Sequence, residues 1–347
     1  MVGIEISNSD YHSGKEVGST TFKTYMDNPV KAYKTYMGLI ESTSSVAMDF
    51  GSLVHCLALE PETFNDEFMI SDEKIKEPSE RLINPEKQIM VYPEKFLTPS
   101  GNLSTAKKVA METEEYRMSN DEFLFATPIE IYNLRIWMEA KGKTIVTQKS
   151  IDEAKVIAQK ALDYEFSITI NSELYNFTFQ DAIDKESAIM ERAFYAWINE
   201  DLTVTLEPKS DRAIRVKTKP DILIDLGHDN YIVVDLKTAD TASVKDFEKT
   251  AKLFYHLQEA HYTKILEANG IKVFKFIFLM AGKQKWSGCQ QYEYDRPAKE
   301  LGEEHFERAV KMHIIAMEDG EVRETSFDGE KYEREPVLSL PAYMFYK

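Results

Sequence analysis

Two runs of branched apolar residues flank a cluster of turn-forming residues in the segment KPDILIDLGHDNYIVVDLKT, residues 219–238. This pattern predicts a β-hairpin, because Gly, Asp and Asn between two apolar runs favour a tight turn. Asp221, Asp235 and Lys237 are set into those strands, where an unpaired charge is costly to bury. We therefore expect the three charged side chains to pair with one another or to bind a ligand.

The loop length decides which residues of the predicted hairpin face each other. A three-residue loop sets Asp221 opposite Asp235, whereas a four-residue loop sets it opposite Leu236. In either register the two carboxylates are close neighbours, since directly opposed residues have Cβ atoms about 4.5–5.5 Å apart. Lys237 follows Asp235 by two residues and therefore shares its face of the strand.

Two convergent carboxylates such as Asp221 and Asp235 repel each other unless they share a proton or a cation. Mg²⁺ suits such a pair, because it binds one or two carboxylates and keeps several waters. A lysine beside the ion can orient an attacking water or neutralise charge that develops on a phosphate. The set predicts metal-assisted phosphodiester hydrolysis, and the alternative is an Asp–Lys–Asp cluster on a solvated sheet face.

Four further residues each have a functional and a structural interpretation. Gln258 and Tyr262 are four residues apart on a predicted helix and share one face, which contacts DNA or is simply polar. His55, on an apolar helix predicted over 43–60, is a metal ligand or a hydrogen-bonded core residue. Glu207, at the end of a predicted strand, is a further acid of the site or a solvated strand end.

Composition and charge limit the class of protein. The 347 residues are 43% hydrophobic and 12% aromatic, which is enough for a folded core, in one large α/β domain or two smaller ones. The sequence contains neither a long apolar run nor a signal-peptide pattern, so we expect a cytoplasmic protein with no membrane contact. Cys56 and Cys289 alone provide neither a disulfide framework nor a four-cysteine cluster.

The formal net charge of −17 argues against a polyanionic partner unless basic residues line one groove. Lys23, Lys31, Lys34 and Lys264 are candidates for such a groove, and solvated helix faces are the alternative for each.

Periodicity predicts the remaining elements. Helices are expected around 18–37 with a turn at Asn28-Pro29, and at 43–60, 149–163, 185–198, 243–268 and 297–317. Strands are expected at 166–180, 201–208, 273–280 and 289–295.

Several motifs, in order along the chain, resemble one nuclease family. They are Gly51-x-x-x-His55, Pro220-Asp221, Asp235-Leu236-Lys237-Thr238 and Gln258-x-x-x-Tyr262. Together they resemble the RecB-type branch of the PD-(D/E)XK nucleases, and within it the phage and prophage RecE group (exonuclease VIII). The segments ISNSDYHSGKE, DFGSLVHCLALEPETF and LSLPAYMF are also similar to that group. The resemblance covers residues 4–64, about 141–162 and 207–262, plus the tail.

The resemblance implies an α/β fold with a restriction-endonuclease-like core, in which a mixed central β-sheet is flanked by helices. It implies a single nuclease domain over 1–347. Within it we expect an N-terminal helical part, 1–64, that carries His55, an insertion of unknown role at 65–140, and a core, 141–347, that contains the hairpin.

The resemblance also assigns roles to the site residues. It implies that Mg²⁺, or Mn²⁺, is held by His55, Asp221, Asp235 and the Leu236 carbonyl, and that Glu207 lies near the metals. Lys237 would be the catalytic lysine. Gln258 and Tyr262 would contact the DNA strand that is cut.

Members of the group degrade one strand of double-stranded DNA from 5′ to 3′, commonly as ring-shaped oligomers. They often act with a single-strand annealing protein in phage recombination, inside the bacterial host cell. Two alternatives stay open, namely a single-strand or structure-specific endonuclease and a catalytically idle DNA-end-binding protein. The intact Asp221, Asp235 and Lys237 set argues against the idle alternative.

Overall fold

A computed structural model describes most of the chain in two compact units. The described residues are 3–40, 45–71, 75, 78–83, 88–91, 97–100, 123–140, 142–170, 172–185, 188–225 and 230–320. The first unit comprises Met1–Gly51 and Ile157–Lys347, and the second comprises Ser52–Val156. The hairpin loop at 226–229 and the LSLPAYMF segment lie outside the described residues.

The helices are numbered in chain order. They are α1 Asn8–Ser13, α2 Ser19–Asp27, α3 Pro29–Tyr36, α4 Val46–Leu59, α5 Phe64–Glu67, α6 Glu80–Ile83, α7 Pro128–Ala140, α8 Gln148–Leu162, α9 Phe179–Ile183, α10 Val244–Lys249, α11 Tyr255–Ala268 and α12 Arg296–Asp319, with 3₁₀ turns at Pro61–Thr63 and Thr250–Leu253.

The strands are numbered in the same way. They are β1 Phe68–Ile70, β2 Gln88–Val91, β3 Phe123–Ala126, β4 Thr144–Val146, β5 Glu165–Ile170, β6 Glu173–Thr178, β7 Ile189–Met190, β8 Phe194–Ile198, β9 Val204–Thr205, β10 Ile214–Thr218, β11 Ile222–Asp225, β12 Asn230–Ala239, β13 Lys272–Gly282 and β14 Cys289–Tyr292.

A five-stranded mixed sheet forms the centre of the first unit. Its order is β14-β13-β12-β11-β7, with β12 and β13 parallel and the other neighbours antiparallel. Parallel neighbours need a crossover connection, which α10 and α11 supply here. Leu257 and Ile265 of α11 join Phe276 and Phe278 of β13 and Phe306 of α12 in one apolar core. A mixed central sheet flanked by helices confirms the predicted fold class.

The register of β11 against β12 is the one that a three-residue loop predicts. Ile222 pairs with Val234 and Leu223 pairs with Val233. One further step along the same antiparallel register sets Asp221 opposite Asp235. The hairpin therefore brings its two acids to adjacent strands of the central sheet.

The turn predicted at Asn28-Pro29 separates α2 from α3. The Asn28 side chain accepts a hydrogen bond from the Lys31 N–H at 2.8 Å, and Pro29 is the first residue of α3. Proline is tolerated at that position because the first N–H groups of a helix have no partner within it. The helix predicted over 43–60 is α4, which ends before Pro61.

The helix predicted over 185–198 is wrong, since this segment contains β7 and β8. In β8, buried side chains alternate with partly exposed ones, which is the period of a half-buried strand. β8 lies in the middle of a second antiparallel sheet with the order β10-β8-β9. The pairing of β8 with β10 and β9 outweighs the helical propensity of the segment 185–198.

The single long helix predicted over 243–268 is divided. α10, the 3₁₀ turn and α11 occupy this range, and Phe254 precedes α11 with a φ of 54°. That left-handed conformation is uncommon for a residue with a side chain. It redirects the chain so that α11 packs against β13.

The second unit carries its own small elements. β1 pairs with β4, and β2 pairs with β3, both in parallel. Leu82, Ala126 and Leu134 form an apolar cluster within it. The predicted insertion, 65–140, falls inside this unit, and the role of that segment stays a prediction. In the part of the chain that the structure describes, no helix combines the length and hydropathy needed to cross a bilayer.

Candidate active site

Asp221 precedes β11 directly and is buried against the neighbouring strand. Its Oδ2 accepts a hydrogen bond from the backbone N–H of Leu236 at 2.6 Å. Pro220, just before it, has no N–H to offer to the sheet. The carboxylate of Asp221 is thus held beside β12 by a backbone N–H group, so its position does not depend on the conformation of another side chain.

Asp235 lies in the middle of β12 and is only 1% exposed. Its Oδ1 accepts a hydrogen bond from Gln258 Nε2 at 2.9 Å, and its Oδ2 forms an ion pair with the ammonium of Lys237. A buried charge with a charged partner and a hydrogen bond avoids most of the cost of burial. The side chain is therefore fixed on both oxygens.

Lys237 is held as a cation by the acids around it. Burial acts to lower the pKa of its ammonium, but the negative charges of Asp235 and Asp221 outweigh burial and raise that pKa above its ordinary value. The ammonium also lies 5.4 Å from the centroid of the Tyr255 ring, a distance compatible with a cation–π contact. Lys237 is thus available as a positive hydrogen-bond donor beside both carboxylates.

A second lysine reaches the same site from α2. Lys23 Nζ donates to Gln258 Oε1 at 3.0 Å and lies 5.5 Å from the centroid of the Tyr255 ring. Burial and repulsion from Lys237 lower the pKa of Lys23 to about 8, although Asp235 opposes the shift. Because the amide oxygen of Gln258 accepts from Lys23, its NH₂ group is the end that faces Asp235.

Glu191 is a site residue that the sequence alone does not reveal. It follows β7 with a φ of 48°, and its backbone N–H donates to the Asp221 carbonyl at 3.1 Å. A carboxylate oxygen of Glu191 lies within 4.8 Å of one of Asp221, and Lys219 Nζ lies 2.6 Å from Glu191 Oε2. Left-handed non-glycine residues cluster at functional sites. The incorrect helical interpretation of 185–198 concealed this residue.

Glu207 is positioned differently from Glu191. It is exposed beyond β9, the edge strand of the second sheet, and its carbonyl accepts a hydrogen bond from the Thr205 hydroxyl at 2.7 Å. Among the described residues, it is not one of the acids grouped with Asp221. Its predicted role near the metals stays a prediction.

Tyr262 lies one helical turn after Gln258 on α11. Burial raises the pKa of its phenol well above the ordinary value, and the nearby charges of Asp235 and Asp221 act in the same direction. The phenol therefore stays neutral and can donate a hydrogen bond near the carboxylates. His55 lies on α4 in the second unit, and its predicted role as a ligand stays a prediction.

The acids of the first unit fit a hard divalent cation. Asp221, Asp235 and Glu191 offer carboxylate oxygens, the donors that Mg²⁺ and Mn²⁺ prefer over nitrogen or sulfur. A carboxylate oxygen of Asp221 lies within 4.8 Å of one of Glu191. Like charges this close raise the electrostatic free energy of the folded protein, and a cation between them lowers it. The donor set thus agrees with the predicted class of cofactor.

Two acids on adjacent strands of a mixed sheet, with a lysine two residues after the second acid, define a core of the PD-(D/E)XK nuclease superfamily. The chain belongs to the family of the PDDEXK-like domain of unknown function (DUF3799), whose model matches residues 161–335. The matched range contains Glu191, Asp221, Asp235, Lys237 and Gln258. No curated protein matches the chain.

Two solved structures are similar to this chain. One is a crystal structure from Eubacterium rectale of a protein named as a candidate exonuclease, with 14% identity, a TM-score of 0.49 and coverage of 99% of each chain. The other, of the protein SSO0001, has 13% identity and a TM-score of 0.22, and the match covers 36% of this chain and 50% of that one. At these values neither structure bears on what this chain does.

Proposed function

We propose that this protein is a Mg²⁺-dependent exodeoxyribonuclease of the RecE type, with Mn²⁺ able to replace Mg²⁺. It degrades one strand of linear double-stranded DNA from the 5′ end in phage-type recombination or DNA processing. The observation that carries the proposal is the convergence of Asp221, Asp235 and Lys237 on two adjacent strands. Substrate class, polarity and biological setting follow from the resemblance to the RecE group.

Asp221 and Asp235 would hold the cation, and the Leu236 carbonyl and His55 are proposed as further ligands. Glu191 is proposed as a further acid near the cation, the role that the sequence suggests for Glu207. When bound, the cation polarises the phosphodiester and lowers the pKa of a coordinated water. The ammonium of Lys237 orients the attacking water and stabilises negative charge that develops on the phosphate oxygens.

Gln258 and Tyr262 are proposed to lie beside the DNA strand that is cut. The Gln258 amide is already used by Asp235 and Lys23, so its contribution is chiefly to fix the Asp235 carboxylate. The neutral phenol of Tyr262 is the member of the pair that can donate to a phosphate oxygen.

The first test is digestion of linear duplex DNA with Mg²⁺ by the unsubstituted protein, Asp235→Ala and Lys237→Ala. Removing a group that stabilises transition-state charge typically lowers kcat by about 10²–10³-fold, and we expect at least that for each variant. Lys275→Ala is the matched control, since Lys275 pairs with Glu293 at 2.8 Å on the same sheet. Equal activity in all four proteins would refute the proposal.

Polarity and the need for an end are tested with labelled substrates. An exonuclease that works from the 5′ end releases a 5′ label at once and a 3′ label late, and it leaves a covalently closed circle intact. Cleavage of the circle, or of single strands alone, would favour a related endonuclease instead. Titration calorimetry that detects no Mg²⁺ or Mn²⁺ binding would favour an idle DNA-end-binding protein.

Assembly and partners form the final part of the proposal. By resemblance we expect a homo-oligomer that encloses double-stranded DNA ends and works beside a single-strand annealing protein in the cytoplasm of a bacterial host. Sedimentation velocity at several protein concentrations tests the oligomer, and a strictly monomeric species would contradict it.

A further inference from the structure

The turn between β13 and β14, residues 283–288 with the sequence KQKWSG, presents an exposed indole next to the end of the central sheet. Trp286 is 78% exposed, although tryptophan side chains are on average highly buried. Two lysines, Lys283 and Lys285, precede it in the sequence, and the six residues contain no acid. An aromatic side chain with cations beside it is the combination that proteins use to stack on nucleic-acid bases.

The turn is held in place rather than loosely attached. Lys160 Nζ donates to the carbonyls of Ser287 at 2.7 Å and of Gln284 at 3.1 Å. The Ser287 hydroxyl is buried and accepts from the Ala242 N–H at 2.9 Å. One ammonium and one hydroxyl thereby tie the turn to α8 and to the segment after β12. An aromatic ring on a fixed backbone loses little conformational entropy when it binds.

The turn is hydrogen-bonded to the end of the strand that carries the candidate catalytic groups. β12 runs two residues beyond Lys237 to Ala239, and in the parallel register Ala239 faces Gly282, the last residue of β13. The Lys283 N–H donates to the Ala239 carbonyl at 2.9 Å, and the Gln284 N–H donates to the Asp240 carbonyl at 3.1 Å. Trp286 thus belongs to the edge of the sheet at which β12 ends.

Charge also favours DNA over other occupants. In a chain with a formal net charge of −17, this turn has Lys283 and Lys285 shortly before Trp286 in the sequence, and its carbonyls bind the ammonium of Lys160. The ammonium of Lys283 also lies 5.3 Å from the centroid of the Phe50 ring. A polyanion that carries flat bases matches this pairing of charge and aromatic surface, whereas an apolar partner would not need the lysines.

We infer that the 283–288 turn is a nucleobase-binding site, in which the Trp286 indole stacks on a base of the DNA held at the candidate active site while Lys283 and Lys285 contact the adjacent phosphates. The inference rests on the proposed nuclease function. It adds a residue that contacts DNA from the edge of the sheet at which β12 ends, and that stacks on any base, since every base offers a flat face.

The test measures DNA binding without cleavage, in an Asp235→Asn background, by fluorescence anisotropy of an end-labelled duplex that carries a short single-stranded tail. Loss of one base–aromatic stack weakens binding by about tenfold or more, and we expect this for Trp286→Ala. Trp286→Phe restores much of the affinity because it keeps a ring. Phe274→Ala is the matched control, since Phe274 is an exposed aromatic near the other end of β13.

A scan of single abasic positions along the tail locates the stacked base. Where Trp286 contacts the missing base, the abasic duplex binds both proteins equally, and the penalty of Trp286→Ala disappears. Equal affinity of Trp286→Ala and the unsubstituted protein for the intact duplex would overturn the inference and leave the proposed function standing. The inference would also be overturned, and the proposed function left standing, if Trp286→Ala changed the self-association of the protein but not its affinity for DNA. Absence of DNA binding by every variant, the unsubstituted protein included, would overturn both.

Discussion

The side-chain amide of Gln258 joins two groups of the site, because it donates to Asp235 at 2.9 Å and accepts from Lys23 at 3.0 Å. The lysine fixes which end of the amide faces the acid, and the amide fixes the acid. Asp235 is thereby positioned by α11 and α2 as well as by its own strand. A carboxylate with so little freedom is preorganised for a ligand.

We expect Gln258→Leu to weaken metal-dependent cleavage, because Asp235 loses a hydrogen bond that orients it. Loss of a group that orients a metal ligand typically costs about 10–100-fold in metal affinity or activity. The measurement is the initial rate of duplex digestion as a function of Mg²⁺ concentration. Gln180→Leu is a chemically matched control, since Gln180 of α9 donates to Asp184 at 2.8 Å in an exposed hydrogen bond. Similar Mg²⁺ curves for both variants would contradict the assigned role.

Replacing Glu191 or Glu207 by glutamine is expected to have different effects on the Mg²⁺ requirement. Glu191→Gln removes a charge within 4.8 Å of an Asp221 carboxylate oxygen, so we expect it to need about tenfold or more Mg²⁺ for half-maximal activity. Glu207→Gln changes an exposed side chain beyond β9 and is expected to leave the Mg²⁺ requirement unchanged. If Glu207→Gln raised the Mg²⁺ requirement and Glu191→Gln did not, Glu207 rather than Glu191 would be the acid near the cation.

Asp221→Asn is predicted to separate metal binding from folding. The amide oxygen can still accept from the Leu236 N–H, but the substitution removes one of two like charges. In EDTA we therefore expect an unfolding temperature equal to or above that of the unsubstituted protein. Saturating Mn²⁺ stabilises the unsubstituted protein, by about 2.7 kcal/mol at a hundred times Kd, and this gain should be lost.

Differential scanning fluorimetry with and without Mn²⁺ measures both effects of Asp221→Asn. Asp225→Asn, on the same strand, serves as the control and should keep the gain. An undiminished Mn²⁺ response of Asp221→Asn would exclude Asp221 as a ligand.

Glu259, on the other side of α11, makes stability depend on pH. Its carboxylate lies 3.0 Å from Lys299 Nζ, and burial raises the pKa of the carboxyl from 4.5 to about 7, against the effect of Lys299. The folded protein therefore binds more protons than the unfolded chain between these values. The contribution of the Glu259 carboxyl to the free energy of unfolding is fully present below pH 4.5 and is lost as the pH rises through 7.

Glu259→Gln should remove that pH dependence. We expect the two proteins to be similarly stable near pH 4.5 and the variant to be more stable at pH 8, by at most about 3 kcal/mol. Urea unfolding at a series of pH values gives the difference. Glu300→Gln is the control, because Glu300 is an exposed partner of Arg296. A difference that does not change with pH would show that folding does not raise the pKa of Glu259.

The hairpin was predictable because it depends on local sequence, whereas the loop length left two registers open. The period of two and the short turn cluster bring Asp221 close to Asp235 in either register, and the lysine two residues on shares the face. The same reasoning could not supply Lys23, which lies 235 residues from the Gln258 that it contacts.

Glu191 escaped prediction for a different reason. Its segment has a composition that suits a helix, and only its place in the fold makes it two short strands with a left-handed residue between them. Phe254 interrupts a continuous helical pattern in the same way. In both places long-range packing overrides local preference, so one sequence carries too little information to locate the break.

The hydrogen bond from the Leu236 N–H to Asp221 Oδ2 has a spectroscopic consequence. A backbone amide within the central sheet ends on a carboxylate oxygen that is also a proposed metal donor. Its nitrogen and proton resonances would therefore shift whenever a cation withdraws electron density from that oxygen. In the ¹⁵N-labelled protein, a single amide signal of the sheet can thus report the occupancy of the site, with no probe attached to a side chain and no substrate present.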